Sequence, residues 1–162
     1  MTGEARSTLQ RYVEATPSIS TDAYAAGDLI GSAAIELVAA TDGDAVNAEK
    51  HGGMVQSVVI TDLAAQSASL DVVFFDANPS STTFTDNAAF DPADADIVNI
   101  VGVASVTDWK AFNDNDVGQA LNLAMPFVLD SGNTLYAVLV SRGTPTYGAA
   151  TDLTLRVGVL SA

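Results

Sequence analysis

The chain has 162 residues, is 48% apolar, and carries 20 acidic against 6 basic side chains for a formal net charge of −14. That length suits one domain burying ~70% of its unfolded surface. The charge excludes binding to nucleic acid or an anionic membrane through clustered Lys and Arg, and the absence of cysteine excludes a disulfide framework, a thiolate metal site and a cysteine nucleophile.

At the N-terminal end, Glu4, Arg6, Arg11 and Glu14 interrupt the first 15 residues, so no ordinary secretory signal is expected. No apolar run approaches the roughly 18 to 20 residues of a membrane helix. Residues 1–20 sum to zero charge, whereas residues 21–162 hold 4 bases and 18 acids and carry the whole −14. Thr16, Pro17 and Ser18 mark the junction, since proline bars the helical region to Thr16. The reading is an N-terminal arm, 1–20, followed by one domain, 21–162.

Inside the domain, Val- and Ile-rich runs separated by Gly, Asp, Asn and Ser read as strands. Residues 29–30 and 35–39 form a first pair around Gly31 and Ser32. Residues 54–62 alternate, which predicts Met54, Gln56, Val58 and Ile60 on one face and Val55, Ser57, Val59 and Thr61 on the other. Residues 70–75 are almost continuously apolar, as in a central strand covered on both faces. Next comes a helix start, with Asp91 as N-cap, Pro92 at the first helical position and Asp94 and Asp96 in the first turn. The β-branched stretch that follows limits it to one turn running into a strand at 100–106. Further strands are predicted at 121–129, 135–140 and 153–160, the last with Leu153, Leu155, Val157 and Val159 inward and Thr154 and Arg156 outward. No fixed-period repeat is present. The expected fold is all-β: a single β-sandwich, jelly-roll-like, with an N-terminal arm and one short helical turn.

Sixteen of the twenty acids are Asp, which raises the question of calcium. Asn113, Asp114, Asn115, Asp116, Val117 and Gly118 resemble the start of a calcium loop. Counted from Asp114, however, the twelfth position is Met125, which cannot supply a bidentate carboxylate, and Gly118 takes the place of the third ligand. A solvated turn explains the segment. Asp86, Asn87, Asp91, Asp94 and Asp96 gather four charges that exposure to water accommodates, so no metal site is assigned. His51, the single histidine, lies in a Gly-flanked loop, where a surface imidazole is expected. No Gly-x-Ser-x-Gly elbow, tuned carboxylate pair or phosphate-cradling loop appears, so the chain reads as a non-enzyme without a cofactor. Trp109, Phe112, Tyr136 and Tyr147 would suit a sugar-stacking platform, although packing accounts for them more simply.

Four segments carry a resemblance: residues 22–31 (DAYAAGDLIG); 73–80 (VFFDANPS) with 82–87 (TTFTDN); 135–147 (LYAVLVSRGTPTY); and Asp152-Leu153 opening the final strand. Together they resemble small virion structural proteins of the head decoration, or cement, type encoded beside the major capsid protein in tailed double-stranded-DNA bacteriophages. The likeness spans about residues 21–160. It implies a non-enzymatic protein on the capsid exterior, often a homotrimer, that bridges subunits of the major capsid protein and needs neither nucleic acid nor membrane. The arm would then dock on the shell through Arg6, Arg11 and Tyr12, because Arg and Tyr are enriched in interface hot spots. The alternative is a carbohydrate- or receptor-binding β-sandwich module of a phage fibre or tail. The acidic surface suits an exposed virion protein or a saline setting, where screening shortens to ~3 Å at about 1 M salt.

Overall fold

Apolar runs bounded by turn residues dictate extended chain. A computed structural model of the protein describes residues 9–39 and 51–161, with 54% strand and 3% helix. In chain order the elements are β1 (Leu9–Ala15), β2 (Leu29–Val38), β3 (Gly52–Asp62), β4 (Leu70–Phe75), α1 (Asp94–Ile97), β5 (Ile100–Val106), β6 (Asp108–Ala111), β7 (Asp116–Val128), β8 (Thr134–Ser141) and β9 (Leu153–Ser161). They form two antiparallel sheets, ordered β1-β9-β3-β7-β6 and β2-β8-β4-β5. The pairs β4–β5, β3–β7, β2–β8 and β1–β9 nest inside one another, as in one long hairpin rolled into two layers. That is the jelly-roll arrangement, with β6 added at one edge. No helix among the described residues is long and apolar enough to cross a membrane.

The core lies between the sheets. Leu153, Leu155, Val157 and Val159 of β9 face inward, as their alternation predicts, and join Leu70, Val72 and Phe74 of β4 in one buried cluster. β4 also has its opposite face covered. Val73 and Phe75 pack with Leu29, Val138 and Val140 beneath Phe84 and Phe90 of the β4–β5 connection, whose rings stack at 6.4 Å. Two covered faces explain the continuous apolar run.

Several expectations are corrected. Residues 29–39 do not form a pair of strands: Leu29–Val38 is one strand whose register on β8 shifts between Ile30 and Ile35, with Gly31 at φ +97 at the irregularity. On β3 the predicted faces fail at Gln56. Val55 pairs with Val159 and Ser57 with Gly158, so Gln56 is an extra residue, and Val55 joins Val58 and Ile60 in the core. One inserted residue inverts the alternation on one side of it. β7 starts at Asp116 rather than at 121, because β6 pairs with its first residues through a tight turn closed by Phe112 N–H donating to Asn115 O (2.8 Å). The helix starts later than predicted, with Ala93 rather than Asp91 at the N-cap and no side-chain cap bond. Thr82 accounts for this: its Oγ1 accepts from Ala93 N (3.1 Å) and donates to Asp96 Oδ2 (2.6 Å).

Candidate functional site

Of the proposed anchors, Arg11 and Tyr12 fall at one margin of the sandwich. Arg6 lies outside the described residues. Arg11 and Tyr12 belong to β1, an edge strand paired with β9 over its whole length. Ile19 is buried in the core, and its N–H donates to Ala150 O (3.1 Å), so the described part of the N-terminal segment is joined to the sandwich.

Neighbours on a strand point to opposite faces, and Arg11 and Tyr12 are separated accordingly. Arg11 turns toward the rim where the two sheets meet, and its Nη1 makes a long hydrogen bond to Val38 O of β2 (3.5 Å). Tyr12 points outward and is 65% exposed. Its ring leans over Gly158, where a Cβ would come within 3.3 Å of it. On the same face Arg156 of β9 donates from Nε (3.1 Å) and Nη2 (2.7 Å) to Glu14 Oε2. Both partners are about half exposed, so the pair contributes at most ~1 kcal/mol. The outward-facing Tyr and Arg of this margin are therefore Tyr12 and Arg156. Alternation already turned Arg156 outward; only the β1–β9 pairing places it beside the arm residues.

A second feature is a hydrogen-bonded unit centred on Tyr24, which is 2% exposed. Tyr24 OH donates to Asp86 Oδ1 (2.7 Å) and accepts from Ser20 N (2.8 Å), while Gly31 N donates to the same carboxylate oxygen (2.7 Å). Tyr24 N donates to Pro145 O (2.9 Å), and the ring packs edge-on against Tyr147 at 5.9 Å. Burial, then the bond to Asp86, pushes the Tyr24 hydroxyl pKa well above its ordinary value. Close by in sequence, Gly148 N and Ala149 N both donate to Asp152 Oδ2 (2.8 Å each). The Tyr24 unit joins residues 22–31, 82–87 and 135–147, parts of three of the quoted segments.

The acids divide by environment. Asp91 and Asp94 are exposed, as expected, and line an open cleft of about 460 Å³ with Ser81, Thr83 and Thr85. Asp96 corrects the expectation of exposure: it is buried and accepts from Ser81 N (3.0 Å) and Thr82 Oγ1. Asp114 stays in the exposed β6–β7 turn, but Asp116 is buried. Among the described residues no group of three or more His, Asp or Glu is arranged to hold a metal ion.

The four aromatic residues are not brought onto one surface. Tyr147 is in the core, Tyr136 packs on the outer face of the four-stranded sheet, and Phe112 is exposed beside the β6–β7 turn. Trp109 lies against the core over Gly118, where a Cβ would come within 2.8 Å of the indole. No known family model matches the chain, and no curated protein matches it either.

Proposed function

We propose that the chain is a non-enzymatic virion structural protein of the head decoration type, which binds the outside of a tailed-phage capsid as a homotrimer and bridges subunits of the major capsid protein. The observation supporting this reading is the convergence at Tyr24. Parts of three of the resembling segments, 22–31, 82–87 and 135–147, meet there through hydrogen bonds. The jelly roll accommodates both capsid and lectin domains, so it is compatible with the reading without selecting it. Tyr12 and Arg156, outward on the β1–β9 face, are the shell-facing anchors in this account, with Arg11 at the adjoining rim.

Quantitative mass spectrometry of purified virions tests the proposal. A fixed, whole-lattice ratio of this chain to the major capsid protein supports it. Absence from particles overturns it, and a few copies confined to the tail or fibre would favour the receptor-binding alternative.

A further inference from the structure

At one end of the β3–β7 ladder two carboxylates stand face to face. Asp62 and Asp116 are direct partners in the register, and each is 1% exposed. Directly opposed residues of an antiparallel pair hold their Cβ atoms ~4.5–5.5 Å apart, so two side chains buried on the same face are within reach of each other. Like charges so placed repel, and burial deprives both of water.

The donors are shared unequally. Asp62 Oδ1 accepts from Ala64 N (2.8 Å) and Oδ2 from Gln66 N (2.9 Å). Asp116 Oδ2 accepts from Ser67 Oγ, whereas Asp116 Oδ1 is buried with no hydrogen-bond partner. A buried carboxylate oxygen without a donor is a costly orphan, and here it lies opposite another carboxylate. The other titratable groups facing the pair are Asp152, ahead of β9, and Tyr147, in the β8–β9 connection; among the described residues no basic side chain joins them. Asp152 already has its own donors, Gly148 N and Ala149 N.

We propose that Asp62 and Asp116 share one proton, held between the Asp62 carboxyl and Asp116 Oδ1, as an acid-set fastener for the 63–69 turn that both residues hold. The proton supplies the donor that Asp116 Oδ1 lacks and reduces the charge of the pair from −2 to −1. It belongs to the pair rather than to either residue. In agreement, burial, with the charges of Asp116 and Asp152 adding to it, holds Asp62 above the ordinary carboxylate value of 3.8, although two backbone donors oppose the shift. The sign follows from linkage. The folded pair binds protons more tightly than the unfolded chain, so this contribution is complete below the ordinary carboxylate value and is lost as pH rises through the raised one. The fastener tightens in acid and loosens toward neutrality, whatever the protein binds.

The test compares thermal melts of the full chain, Asp116→Asn and the control Asp22→Asn, which makes the same charge change at an exposed site. In Asp116→Asn the amide nitrogen supplies a permanent hydrogen in the contact with Asp62, while its oxygen still accepts from Ser67. The expected result is a melting temperature about 3 °C or more above the control at about pH 7, with the difference closing toward about pH 4. Equal melting of the two variants across that range overturns the proposal. Carbon-13 titration of the wild-type carboxyl groups is the second readout. One step well above the ordinary carboxylate range, absent in Asp116→Asn, supports a shared proton; titration of both groups together with the exposed aspartates overturns it. So does a calcium-dependent rise in wild-type melting temperature that Asp116→Asn abolishes, which would assign the site to a cation.

Discussion

Replacing Tyr24 by Phe removes one oxygen and leaves the ring in place, so it isolates the hydrogen bonding of the unit that joins residues 22–31, 82–87 and 135–147. The ring keeps its edge-on contact with Tyr147. Lost are the donation to Asp86 Oδ1 (2.7 Å) and the acceptor for Ser20 N (2.8 Å). Asp86 keeps Gly31 N as a donor, which limits the damage on that side. A hydrogen bond to a charged group contributes ~1.5–3 kcal/mol and an orphaned donor costs ~1–3 kcal/mol, but both sites are only partly buried and water replaces part of the loss; the sum is about 2 kcal/mol. For a chain of this size that corresponds to a fall in melting temperature of about 4–8 °C. Asp86→Asn retains an acceptor for both Tyr24 and Gly31 and is expected to lose about half as much. Calorimetry on both variants, with urea unfolding to confirm an unchanged slope, measures the difference. If Tyr24→Phe melts within about 1 °C of wild type, the hydroxyl contributes nothing and the unit is held by packing alone.

Other outcomes follow from the same coordinates. Gly118→Ala places a methyl group within 2.8 Å of the Trp109 indole; it is expected to destabilise by about 1–3 kcal/mol and to red-shift the emission of the single tryptophan, and unchanged fluorescence would contradict the contact. Deleting residues 1–8, which removes Arg6, is expected to weaken capsid attachment. Deleting residues 1–20 also removes β1 and the buried Ile19 and is expected to lower the melting temperature, as calorimetry and co-sedimentation with capsids would measure. In alkali, burial keeps the Tyr24 and Tyr147 hydroxyls protonated beyond their ordinary value of 10.0. The folded state then binds more protons than the unfolded one, so stability declines as pH rises above that value, and ultraviolet titration should show these two phenolates forming only with unfolding.

The sandwich was legible where burial on one or both faces wrote itself into hydropathy, as in β4, β5, β8 and β9. β1 was not, because it is an edge strand whose outer face carries Gln10, Tyr12 and Glu14, so it reads as a polar arm. β6 was missed because it is only four residues long and Trp109 alone turns inward. The phase of β3 was lost at Gln56, since a bulge leaves no mark in composition. The helix cap was misplaced because its supporting hydroxyl, Thr82, comes from a distant turn. Sequence proposed Arg6, Arg11 and Tyr12 as anchors by residue type, but the separation of Tyr12 from Arg11 and its proximity to Arg156 depend on strand pairing. The opposition of Asp62 and Asp116 was invisible for the same reason: each looks like an ordinary turn aspartate until the register joins them.

Reconstitution on the shell tests the functional account most directly. Capsids purified without this chain are titrated with it, and bound copies and the temperature of shell rupture are measured together. The account predicts saturable binding at a whole-number ratio to capsid subunits and a rupture temperature that climbs with occupancy. Failure to bind, or full occupancy with rupture unchanged, would contradict it.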